Sequence, residues 1–132
     1  MGLFDRFKKK DSGRFVPEDE YRRNLASQKT MTPKTMDQLR KLGVGPERRL
    51  KVELFFYSNT LAKAEALAQT LRAMNYEVDA LPTAKGVEFL TTGWTTPISM
   101  TDSDMLEWTE RMCEIGYQHD CEFDGWGTTP DQ

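Results

Sequence analysis

A chain of 132 residues, 38% hydrophobic and 30% charged, has room for one compact domain with a modest core. No run approaches the roughly 18 apolar residues that a bilayer crossing takes, and two cysteines without a secretory leader point to a reducing cytoplasm and not to a disulfide framework. The net charge of −3 is unevenly spread: residues 1–51 hold 14 Lys and Arg against 7 Asp and Glu, whereas residues 52–132 hold 4 against 14.

The first 31 residues read as a basic, partly disordered arm, and residues 32–132 as the folded domain. Residues 1–16 are charge-rich, broken at Ser12-Gly13 and closed by Pro17. Phe4 and Phe7 beside Lys8, Lys9 and Lys10 give at most weak affinity for an anionic membrane surface, and Arg6 at the sixth position argues against myristoylation of Gly2. A short helix from Pro17 carries Glu18, Asp19 and Glu20 in its first turn ahead of Arg22 and Arg23, the order the helix dipole favours. Ser27 to Met31 reads as a linker. Thr32 then caps a second helix with Pro33 at its first position, Met36, Leu39 and Leu42 on one face, and Gly43 as its stop.

Residues 50–57 alternate as a strand, with Val52, Leu54 and Phe56 inward and Glu53, Phe55 and Tyr57 outward. Ser58-Asn59-Thr60 caps an alanine-rich helix to about Met74, buried along Leu61, Ala64, Leu67 or Ala68, and Leu71, with Asn75 as a stop. Strands follow at 76–81 and 87–95, the second interrupted at Gly93, where a bulge is expected. Thr101 opens a helix with Met105, Trp108, Met112 and Ile115 on one face and Gly116 as its end. His119 to Phe123 is the last strand. The order is β-α-β-β-α-β, so the expected class is α+β: a ferredoxin-like, four-stranded antiparallel sheet with both helices on one face, plus an extra N-terminal helix.

In that arrangement the open face of the sheet carries Glu53, Phe55, Tyr57, Glu77, Asp79, Glu88, Leu90, Asp120 and Glu122. Phe55 and Tyr57 are placed as stacking aromatics are in sheet-based RNA-binding domains, but six carboxylates oppose phosphate, so no direct nucleic-acid binding is expected. The same face suits a basic protein partner, with a homodimer through the open sheet as the alternative. No catalytic group, cofactor or metal is expected. Cys113, His119 and Cys121 match no zinc spacing and lack a visible oxyanion hole, and there is no phosphate loop.

The chain closes on Glu122-Phe123-Asp124-Gly125-Trp126-Gly127-Thr128, a tryptophan between two glycines, which implies unusual dihedrals or close backbone approach. This stretch resembles the end of the domain in the ribonuclease E inhibitor family, regulator of ribonuclease activity B. The motif residues are Asp124, Gly125, Trp126, Gly127 and Thr128. The likeness extends over about residues 33–129, through Leu39 and Gly43, Val52-Glu53, the alanine-rich helix to Leu71, and Tyr76-Glu77-Val78. It implies a bacterial cytoplasmic, non-enzymatic protein that binds ribonuclease E and alters its assembly or activity. Members of that type are strongly acidic throughout, and here residues 1–51 depart from the pattern.

Overall fold

A computed structural model describes residues 13–132. The disorder and weak membrane affinity expected of residues 1–12 lie outside the described residues, whereas residues 14–16, read as part of the same disordered stretch, are held in place: Val16 is buried and the Phe15 and Val16 amides bond to Asp120. The described chain is α+β, with helices α1 (Glu18–Lys41), α2 (Leu61–Arg72) and α3 (Asp102–Gln118). The strands are β1 (Arg49–Leu50), β2 (Glu53–Ser58), β3 (Glu77–Pro82), β4 (Phe89–Trp94), β5 (Ile98–Ser99) and β6 (Glu122–Gly127). β3-β4-β2-β6 form one antiparallel sheet, and β1 pairs with β5 in a second, two-stranded one. None of the described helices is long and apolar enough to cross a membrane.

The core lies between the main sheet and the helices. Leu54 and Phe56 of β2, Leu67 and Leu71 of α2, Met105 and Met112 of α3, and Phe123 of β6 are all sealed from solvent. Thr60 and Thr101 cap α2 and α3 as expected, accepting bonds from the amides of Lys63 and Asp104. Leu61, expected in the buried stripe, is exposed.

α1 corrects the expected linker. It runs unbroken from Glu18 through residues 27–31 to Lys41, with Pro33 inside it. A proline there removes the bond to the carbonyl of residue 29 and costs about 3 kcal/mol. Burial of Thr32, Met36 and Leu39 against the rest of the fold offsets that loss. α1 lies beside α3 and along β6. The Tyr21 and Tyr117 rings stack at 4.4 Å, and Lys29 pairs with Glu110 at 2.6 Å.

All three helices end in the same way, with the next two amides turned back onto the last turn. The left-handed residue is Gly43 after α1, Asn75 after α2 and Asp120 after α3. Gly116, expected to end α3, sits inside it. A Cβ there would meet the Cys121 carbonyl at 2.8 Å and the Phe56 ring at 3.0 Å, so close packing and not termination requires glycine. The last strand accordingly begins at Glu122, and His119 and Asp120 precede it.

The bulge expected at Gly93 is absent: β4 pairs without a shift to both neighbours. Gly93 is needed because a Cβ would lie 2.0 Å from the Glu77 carbonyl. The register shift falls instead in β6, between the partners of Phe55 and Phe56, and leaves Asp124 as the extra residue.

Candidate functional site

The outward face of the main sheet is arranged in three rows. Glu77, Trp94, Glu53 and Gly127 lie across the first; Asp79, Thr92, Phe55 and Gly125 across the second; Leu81, Leu90, Tyr57 and Glu122 across the third. Six of the eight expected interaction residues therefore come together or adjoin one another. Glu53, Phe55, Tyr57 and Glu122 are half-buried, and Glu77 and Asp79 are exposed on β3. Glu88 is exposed in the turn before β4 and not on the strand. It is nonetheless near enough to Glu122 and Asp124 to act on both carboxyls.

The sequence reading missed Trp94 and Leu81. An extra residue at Gly93 would have turned Trp94 to the other face; the regular pairing keeps it with Leu90 and Thr92. Period two from Leu90 was the signal available.

Asp120 does not lie on this face. It sits at φ 58° after α3, 7% exposed, and accepts bonds from the amides of Phe15 and Val16, both at 2.8 Å. Lys63 donates to the same carboxylate at 2.6 Å. Arg14 adds a contact at 3.5 Å while its guanidinium stacks over Tyr117. Burial alone would raise the Asp120 carboxyl; the bonds from Lys63, Phe15 and Val16 outweigh it and hold the group below the ordinary range. Asp120 is thus a clamp on the segment that leads into α1.

The acidic residues at the β6 side behave in the opposite way. Burial, then the charges of Glu20, Asp124 and Glu88, raises the Glu122 carboxyl. Burial and Glu88 raise that of Asp124. No described Lys or Arg lies in an ion pair with Glu53, Glu77, Glu88, Glu122 or Asp124, whereas Asp79 has Arg72 at 3.6 Å. The face is a carboxylate rim around half-exposed aromatic rings, and apart from Asp79 its carboxylates have no ion-pair partner among the described residues.

The closing motif builds one wall of this face. In a regular strand, Phe123 and Trp126 would point to opposite sides. The extra residue, Asp124, returns Trp126 to the core side, where it meets Trp108 edge-on at 6.3 Å and Phe123 meets the same ring at 5.9 Å. Gly125 takes φ 134°, and with no side chain there an open groove of about 250 Å³ remains between α1 and the sheet. Gln28, Met31 and Thr35 line one side, Phe55 and Asp124 the other. The Phe123 carbonyl beside the bulge accepts bonds from Asn24 at 2.9 Å and Gln28 at 3.4 Å.

Behind the groove a one-way hydrogen-bond chain joins three elements. Thr109 Oγ1 donates to the Met105 carbonyl at 2.8 Å. It can therefore only accept from Thr32 Oγ1, 2.8 Å away, which in turn accepts from Trp126 Nε1 at 3.0 Å. Gly127 ends β6, and the Thr128 hydroxyl bonds to the Lys51 carbonyl at 2.6 Å.

Cys113 and Cys121 are buried, and burial pushes their thiols up to about 12 and about 11, so neither is a thiolate at neutral pH. His119 Nε2 lies 2.9 Å from the Thr70 hydroxyl. These three residues have packing and bonding roles within the fold.

Comparison with curated proteins gives no match. A protein-family profile, described as regulator of ribonuclease activity B, matches residues 29–128. That span takes in α1 from residue 29 onward, Thr32 included, the whole four-stranded sheet and the bulged closing motif. The chain belongs to the regulator of ribonuclease activity B family.

Proposed function

We propose that this protein is a bacterial, cytoplasmic, non-enzymatic regulator that binds a basic segment of a ribonuclease, ribonuclease E by the resemblance, through the open face of its sheet. The reading takes the fold as ferredoxin-like, which the strand order β3-β4-β2-β6 with helical crossovers supports. One observation carries it: half-exposed Phe55, Tyr57 and Trp94 stand within a rim of Glu53, Glu77, Asp79, Glu88, Glu122 and Asp124, two of whose carboxyls are raised by burial and mutual repulsion. A cationic side chain arriving there relieves that repulsion, and the aromatic rings supply buried contact area. Asp120 is excluded from the contact because it is already engaged. Residues 1–31 remain, in this reading, a basic arm on the domain, although α1 spans the boundary.

The test is capture of ribonuclease E from bacterial cytosol on the immobilised chain. We expect retention at low salt, loss at high salt, and loss in the variant Glu77→Lys, Asp79→Lys, Glu122→Lys. Retention that ignores both salt and the three substitutions would remove the acidic face from the mechanism. A homodimer in light scattering that dissociates with the same substitutions would assign the face to self-association instead.

A further inference from the structure

Leu81, Leu90 and Tyr57 make a continuous apolar row across β3, β4 and β2, with Phe55 in the adjoining row and Trp94 in the row beyond. Carboxylates flank that strip on the β3 margin and the β6 margin. No described element covers it. A second copy docked face to face about a two-fold axis would set each acidic margin against another acidic margin, which is unfavourable. The chain itself contains a segment of the opposite character: residues 1–12 include Leu3, Phe4 and Phe7 together with Arg6, Lys8, Lys9 and Lys10, against Asp5 and Asp11.

That segment joins the described structure at the Asp120 clamp, next to the Tyr57 end of β2. The Phe15 and Val16 amides are fixed by the Asp120 carboxylate. The Asp120 carbonyl accepts a bond from Ser58 Oγ at 2.8 Å, and Ser58 directly follows Tyr57 of the apolar row. Twelve extended residues reach about 40 Å, and the three spacings between four strands amount to only about 14 Å. The clamp therefore tethers the segment within easy reach of the whole face, at an effective concentration on the order of millimolar.

We propose that residues 1–12 dock in cis on the open face, with Phe4 and Phe7 against Tyr57, Leu90 and Trp94 and the lysines toward Glu88, Glu122 and Asp124, and that a basic partner must displace them. The regulatory half of this proposal rests on the open face being the partner site. The docked segment acts as a competitor built into the chain, and Asp120 holds it in register.

A spin label on the full chain carrying Gly2→Cys tests the docking. Cys113 and Cys121 are 2% and 1% exposed, so the label goes to position 2. We expect strong paramagnetic broadening of the amide signals of Tyr57, Leu90 and Trp94, little at Ala66 and Gln69 on the solvent side of α2, and loss of the effect at high salt and on adding Phe4→Ala with Phe7→Ala. Uniform or absent broadening would overturn it. In parallel, a synthetic peptide of four lysines and two phenylalanines is titrated into the unlabelled chain and the Phe4→Ala, Phe7→Ala variant. The variant should bind about tenfold more tightly, the factor expected for a site occupied nine-tenths of the time; equal affinity would overturn the competition. Peptide binding without broadening removes the docked segment and keeps the face as a partner site. Broadening with no peptide binding to either chain does the reverse.

Discussion

Asp120 occupies a left-handed backbone position that glycine or asparagine fills more cheaply after a helix. Its carboxylate is the reason for the exception, since it gathers two backbone amides and Lys63. Asp120→Ala loses those bonds and keeps the backbone cost; we expect a loss of about 2–3 kcal/mol in urea unfolding. Asp120→Asn keeps the backbone preference and part of the bonding, and should lose less. The pH dependence has a definite sign. Because the folded carboxyl is held below its ordinary value, its contribution is complete above the unfolded pKa of about 4 and is lost as pH falls through the lower folded value. Wild type should therefore converge on Asp120→Asn in acid.

At the scale of elements, the bulged end of β6 and the proline-bearing α1 are fastened to α3 by the chain from Trp126 through Thr32 to Thr109. Thr32→Val leaves the Trp126 N–H unpaired and should cost about 1–3 kcal/mol. Adding Trp126→Phe removes the orphaned donor, so the double variant should be more stable than the two single losses predict, by about 1 kcal/mol in a double-mutant cycle. Strict additivity would show that the relay does not couple the elements. The strands and helix starts here were legible because alternation and threonine caps are local signals. Pro33 looked like a helix start because the tertiary burial that carries a helix across it leaves no local mark. Gly116 and Gly93 looked like a stop and a bulge because glycine serves close approach and special dihedrals equally, and only the neighbours at 2.8 Å and 2.0 Å tell which. The same ambiguity governed the site: Glu53, Phe55 and Tyr57 followed from period two, while Trp94 and Asp120 depended on those two glycines.

At the scale of the whole molecule, Glu53, Glu77, Glu122 and Asp124 gather on one face without an ion-pair partner among the described residues. Glu122 has its carboxyl raised by burial and by Glu20, Asp124 and Glu88, so the folded state binds its proton more tightly than the unfolded state does. Its contribution is favourable in acid and is lost as pH rises through the folded pKa. Glu122→Gln should therefore raise the thermal midpoint at neutral pH, with the gain shrinking as pH falls, while retention of a basic partner weakens. Such an exchange of stability for binding is what a surface kept for recognition predicts.

The Asn24 and Gln28 amides give a different perspective on α1. They occupy the Phe123 carbonyl on the outer margin of β6, where a further strand would otherwise add. α1 is thus a guard against runaway strand addition as well as a packing element. On the opposite margin, β3 meets solvent with Glu77, Asp79 and Pro82, residues that discourage pairing by charge and by a missing N–H. A variant that loosens α1 would leave β6 as the vulnerable margin, and its failure would take the form of polymerisation through that strand before any loss of the central sheet.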